Sequence, residues 1–191
     1  MSVWKCLNFS GSLRSGSVNV KLAHAATKVL VELGAQTTYI SLEDFPMPIY
    51  DEDLKSEKGV PDSVTKLARL MATHDGLFIT SPEYNASVTP LLKNTIDWLS
   101  VLRDAPKPFA GVTVALGAAS PGGFGGIRGL YHLRAILMNV GAQIITDQAA
   151  VPRAMEAFGE DGMLKDERSM SMLKTTCRSL LEMSVDGRGR E

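Results

Sequence analysis

The chain has 191 residues, 45% of them hydrophobic, with 20 Lys and Arg against 21 Asp and Glu and a formal net charge of −1. That size and apolar content suit one domain with a full core. The balanced charge speaks against a nucleic-acid binder, which carries a basic excess, and against a strongly acidic carrier that docks by charge.

Val3–Ser10 reads as a buried strand, and Asn19–Leu33 as a helix whose apolar residues recur at helical spacing up to the stop at Gly34. Gln36–Leu42 is rich in β-branched and aromatic residues and reads as a second strand. The prolines and acids of residues 43–62, EDFPMPIYDEDLKSEKGVPD, predict neither helix nor strand. Asp62–Thr73 is a second helix, with Val64, Leu67, Ala68 and Met71 on one face. Gly76–Thr80 is a short apolar strand, Val88–Leu102 a helix and Ala110–Leu116 a fourth strand. Gly126–Val140 is a helix, Ala142–Thr146 a fifth strand, and Asp166–Met183 a last helix. Residues 1–183 are thus expected to form a single domain and 184–191 a frayed tail.

Short apolar strands alternating with amphipathic helices imply an α/β fold, a parallel sheet covered on both faces. Five strands in this rhythm fit a flavodoxin-like three-layer sandwich of order 2-1-3-4-5, or a small Rossmann sheet. Either fold binds ligands at the carboxyl ends of its strands, so the loops after strands one, three and four carry the interest. Cys6 lies in an apolar run and Cys177 in the last helix, with no metal-ligand spacing. The start, MSVWKCLNFSG, shows no secretory signal, and no stretch reaches membrane-spanning length. A cytoplasmic protein with neither membrane nor nucleic-acid partner is expected.

Loop one, SGSLRSGSVN (Ser10–Asn19), runs from a strand into a helix. The first amides of a helix have no intrahelical partner and carry the positive end of its dipole. Ser12, Ser17 and Asn19 add neutral hydrogen bonds, and Arg14 adds a planar donor fork suited to phosphate. Gly11 and Gly16 are expected to let the backbone turn and approach a ligand. Neither a Walker ending nor G-x-G-x-x-G is present, so a terminal monophosphate suits the loop better than a pyrophosphate. Taken singly, Ser17 or Asn19 reads as a helix cap; the cluster with Arg14 points to an anion seat. Loop two, SPEYNAS (residues 81–87), and loop three, GAASPGGFGGIRG (residues 117–129), offer backbone and small polar groups to a planar ligand.

GSLRSGSVN, PEYNASVTPLLKNTIDWLS and SPGGFGGIRGLYHLR together resemble the NADPH-dependent FMN reductase family of flavodoxin-like proteins, over roughly the first three quarters of the chain. That family includes bacterial quinone, azo-dye and chromate reductases. By this resemblance Ser12, Arg14, Ser17, Val18 and Asn19 hold the FMN phosphate. Pro82, Glu83, Tyr84, Asn85 and Ser87 line the isoalloxazine, and Ser120 touches the flavin from loop three. The resemblance also implies NADPH or NADH as co-substrate and a small-molecule electron acceptor such as a quinone, azo dye, chromate or ferric complex. It further implies a homodimer or homotetramer, with Arg128 and Tyr131 near the subunit contact. Flavin N5 takes the hydride, so no catalytic side chain is required. Amides of Tyr84, Asn85 and the glycine-rich loop three are expected near the ring edge where reduction places negative charge. His24, His74 and His132 read as structural or surface residues. The rival reading is a flavodoxin-type electron carrier, against which stands the absence of a T-x-T-G-x-T loop. A non-flavin phospho-ligand binder is the third.

Overall fold

Side chains along a strand alternate between its two faces, and here both faces are dry. Leu7 and Phe9 of β1 (Lys5–Ser10), Leu77 and Ile79 of β3 (Gly76–Thr80), and Val114 and Leu116 of β4 (Thr113–Ala119) enter one core. That core is shared with α3 (Asp62–Met71), α4 (Pro90–Ser100) and α5 (Ile127–Asn139). The intervening Cys6, Phe78 and Ala115 enter a second core against α1 (Val18–Glu32) and α6 (Glu167–Gly187). This double burial is why the inner strands read as continuous apolar runs. The computed structural model describes residues 3–103 and 106–187.

With β2 (Gln36–Ile40) and β5 (Gln143–Val151), the strands form one parallel sheet of order β2-β1-β3-β4-β5, the flavodoxin-like arrangement. Because β1 pairs β3 and β3 pairs β4, all in parallel, the loops after these strands leave the same rim side by side. Backbone bonds tie them together: Gly11 N–H to the Thr80 carbonyl at 2.7 Å and Ser81 N–H to the Gly117 carbonyl at 2.9 Å.

Several boundaries differ from those expected. Residues 43–62 do contain helix: a 3₁₀ turn at Leu42–Asp44 and α2 (Glu52–Lys58). Asp51 caps α2 by accepting the Leu54 amide at 2.8 Å, and Gly59 ends it in the left-handed region. Those two residues are ordinary start and stop signals on either side of a segment too short to show a periodicity. β4 continues to Ala119 and β5 to Val151. The polar residues of β5 hide its length, but it is an edge strand and they find local partners: Asp147 accepts from Ser179, Gln148 from Arg134. A register shift opposite Val114 and Leu116 lets pairing resume beyond Thr146. The third expected helix starts at Pro90 rather than Val88, because Thr89 caps it through the Leu92 amide. α6 runs to Gly187, past the expected end at Met183.

The long connection is fastened to α4. The Asn94 side chain accepts the Tyr50 amide at 2.7 Å and donates to the Pro48 carbonyl at 2.9 Å. The Trp98 indole N–H donates to the same carbonyl at 2.7 Å. Lys93 and Asp97 pair one turn apart on the outer face. The K-N-x-I-D-W-L run is therefore a clamp for residues 48–50.

Candidate functional site

Ser17 begins α1: its Oγ accepts the Val20 amide at 3.4 Å, a cap that fixes where the helix dipole points. Ahead of it, Ser12 Oγ accepts the Arg14 amide at 3.3 Å, and across the rim Ser120 Oγ accepts the Gly122 amide at 3.2 Å. In all three serines the oxygen takes a backbone proton, which leaves the hydroxyl hydrogen to be donated to a ligand. These serines, with Arg14, Val18, Asn19, Pro82, Glu83 and Tyr84, line one cavity of about 360 Å³, within the size range of small-molecule sites. Three loops far apart in sequence thus surround one hollow.

Asn19 plays a different part from the one expected. Its side-chain N–H donates to the Ala119 carbonyl and its Oδ1 accepts the Ala119 amide, both at 2.9 Å, while its own carbonyl accepts Thr80 Oγ1 at 2.9 Å. The carboxamide is buried and fully engaged; what Asn19 offers a ligand is its backbone amide in the first turn of α1. Gly11 also differs. A Cβ there would sit 3.0 Å from Leu92 Cβ, and its carbonyl accepts Thr89 Oγ1 at 2.8 Å, so this glycine serves packing against α4 rather than approach of a ligand.

Loop two is a tight hairpin turn. Tyr84 and Ser87 exchange two backbone bonds of 2.9 Å, and Asn85 and Ala86 between them lie at φ 50° and 62°. The Tyr84 amide is therefore spent inside the turn, contrary to expectation, whereas the Asn85 amide at the tip donates no backbone hydrogen bond among the described residues. Asn85 and Ser87 themselves lie outside the cavity wall.

Glu83 lines the cavity, but its carboxylate is engaged on α5. Its carboxylate accepts the amides of Arg128 at 3.1 Å and Gly129 at 3.2 Å, and pairs with the Arg128 guanidinium at 2.6 Å. The Glu83 side chain is 9% exposed and that of Arg128 59%. Burial by itself pushes the carboxyl pKa up, but the Gly129 amide and the Arg128 guanidinium outweigh it and hold the group below its ordinary range. His132, one turn after Arg128, meets Ser87 Oγ at 3.0 Å. One face of α5 thus anchors loop two, and Gly129 permits it: a Cβ there would lie 3.1 Å from the Ser87 carbonyl. Of the other histidines, His24 packs on Tyr39 and His74 bonds Thr38 and the Leu70 carbonyl, away from this rim.

In loop three, Gly126 at φ 84° starts α5 with its Cα pressed on β4; an added Cβ would lie 2.8 Å from Ala118 Cβ. Gly122 and Gly123, by contrast, have no tight neighbour on the Cβ side. The cavity also takes Ala119, Pro121 and Met155, which the sequence reading omitted. Met155 follows β5, whose carboxyl end opens on the same rim; applying the strand-end rule to strand five as well as the inner strands would have found it.

Residues 4–156 match the family model described as NADPH-dependent FMN reductase. A quinone reductase of Escherichia coli is 42% identical over 135 residues, 71% of this chain and 70% of that protein. An NAD(P)H-dependent FMN reductase of Pseudomonas aeruginosa is 34% identical over 178 residues, 92% of each. Among solved structures, a flavoenzyme NAD(P)H:(acceptor) oxidoreductase of Paracoccus denitrificans superposes with a TM-score of 0.80 at 27% identity, covering 97% of this chain and 99% of its own.

Proposed function

The chain belongs to the NADPH-dependent FMN reductase family, and from that premise we propose that it is an FMN-dependent NAD(P)H oxidoreductase acting on quinones, with the three-loop cavity as its flavin site. The observation that carries this reading is the convergence of Arg14, the start of α1 and three donating hydroxyls on one hollow. The donor set fits the cofactor. The acid in the cavity wall, Glu83, is engaged by Arg128 and two amides, so an approaching phosphate meets donors rather than a free carboxylate. The remaining wall, from Pro82, Ala119 and Pro121, offers backbone and small side chains to a flat ring.

FMN, when bound, supplies the redox chemistry, taking two electrons from reduced nicotinamide and giving them to the acceptor. The chain holds and orients it. Ser12, Arg14 and Ser17, with the amides of Val18 and Asn19, grip the phosphate. Pro82, Tyr84 and Ser120 would bound the ring. Ser87 and Glu83 act at one remove, by fixing loop two to α5.

The exposed Tyr84 and Met155 of the cavity wall, with the exposed Phe124 of loop three and Tyr131 of α5, support a homodimer or homotetramer in which a second subunit roofs the site. Among the described residues no helix is long and apolar enough to cross a membrane, and both cysteines are free and buried. A cytoplasmic setting agrees with those thiols.

The test is a visible spectrum after reconstitution with FMN, followed by anaerobic titration with NADPH. Flavin bands that bleach on titration, with steady NADPH oxidation once a quinone is added, are expected. A featureless visible region overturns the reading. Flavin bands that NADPH leaves unbleached favour the electron carrier, which needs a partner reductase.

A further inference from the structure

Beyond β5 the chain forms a wall with a hollow on each side. Met155 faces the three-loop cavity. On the other side opens a second cavity of about 540 Å³, bounded by Gly123 of loop three, by Pro152, Arg153 and Ala157 of the wall, and by the start of α6. The wall is pinned to loop three. The Ala154 amide donates to the Ser120 carbonyl at 3.0 Å and the Arg153 amide to the Gly122 carbonyl at 3.2 Å. Arg153 is held at φ 49°, a left-handed conformation that costs a non-glycine residue energy and that clusters at ligand sites.

Three cations rim this second cavity: Arg153, Lys165 and Arg168. Among the described residues none of them lies within ion-pair distance of a carboxylate. Asp166, the acid between two of them, has its carboxylate committed to the Ser169 amide at 2.8 Å, where it caps α6. Glu156 is the other acid of the lining. Pro152 and Ala157 give the cavity an apolar face.

We propose that this second cavity takes the adenosine end of the reduced nicotinamide, with a 2′-phosphate seated among Arg153, Lys165 and Arg168, and that the chain therefore prefers NADPH to NADH. The assignment rests on the three-loop cavity being the flavin site. A dinucleotide whose nicotinamide lies at the flavin must place its base in a neighbouring hollow, and this one shares a wall with it. The apolar face suits a purine. Two guanidinium forks and an ammonium suit a dianionic phosphate; a bare ribose does not engage them so.

The experiment compares wild type with the Lys165→Ala, Arg168→Ala double variant, both loaded with FMN. The ratio of kcat/KM with NADPH to that with NADH is expected to fall about 10- to 100-fold, the loss of charge-assisted hydrogen bonds. An unchanged ratio, including an equal fall with both nucleotides, overturns the proposal. Calorimetry supplies a readout that needs no turnover. Wild type should bind adenosine 2′,5′-bisphosphate about 10-fold or more tighter than adenosine 5′-monophosphate, and the variant should not. Equal affinities in wild type overturn the proposal even if the variant fails to fold. Bound flavin without bisphosphate preference sinks this assignment alone; absence of flavin sinks the reading of the first cavity.

Discussion

Arg14 and Asn19 stand five positions apart in one loop and do opposite kinds of work. The Arg14 side chain is exposed, with a 3.4 Å contact to the Ser15 carbonyl and no carboxylate partner among the described residues. Its charge is available to a phosphate. Arg14→Ala should weaken FMN binding by about 1.5–3 kcal/mol, roughly 10- to 150-fold in Kd, while leaving unfolding in urea little changed; fluorescence titration of the apoprotein reads the first quantity. Asn19 is buried, and its carboxamide closes the end of β4. Asn19→Ala leaves the Ala119 amide and carbonyl unpaired in a dry place, so unfolding free energy should fall by about 2–4 kcal/mol in equilibrium denaturation. If that variant is as stable as wild type, the bridge between α1 and β4 is worth nothing. Strain follows the same geography: Asn85, Ala86 and Arg153, the non-glycine residues at positive φ among those described, all lie in loops at the strand-end rim.

At the level of elements, α5 matters for what its first two turns hold. Arg128 and His132 share a helical face and reach back to Glu83 and Ser87, so loop two takes its shape from a helix that follows it by some forty residues. Glu83→Gln should lower stability by about 1–2 kcal/mol at neutral pH. Glutamine keeps one oxygen for the amides of Arg128 and Gly129, so most of that loss is the acceptor's charge in those two bonds; the guanidinium is largely exposed and solvent screens the ion pair. The sign of the pH dependence follows from the lowered Glu83 pKa. The folded chain binds this proton less readily than the unfolded one, so the stabilisation is complete above the ordinary value of 4.5 and is lost as pH falls through the lower folded-state value. The stability gap between wild type and Glu83→Gln should therefore shrink in urea titrations below pH 4.5. A gap constant down to strongly acid pH would show that Glu83 is not held ionised.

For the molecule as a whole, parallel pairing is what turns three loops into one site. β1, β3 and β4 run the same way, so their exits share a rim, and α1 and α6 close one face beneath it. A ligand that joins all three loops binds only the folded chain. FMN at 100 times its Kd should therefore raise the unfolding free energy by about 2.7 kcal/mol, and the melting temperature by several degrees. A thermal scan with and without FMN measures this, and identical melts would mean that the cavity does not take it.

The amino-acid order alone determined the layer architecture. Apolar runs in the inner strands and 3.6-residue periodicity in the helices are local signals, and parallel strands joined by helices leave few topologies open. Loop one was legible for the same reason, since a capped helix start with a nearby arginine is written within ten residues. Tertiary structure decided the rest. Whether Asn19 faces a ligand or Ala119, whether the Tyr84 amide is free or bonded to Ser87, and whether Glu83 lines a ring or holds α5 depend on partners that folding brings close. The same holds for the clamp that Asn94 and Trp98 place on residues 48–50, and for Met155 and the cations beyond β5. A side chain's chemistry is fixed by its sequence, but its hydrogen bonds are allotted by proximity, and proximity between distant residues exists only once the sheet has formed.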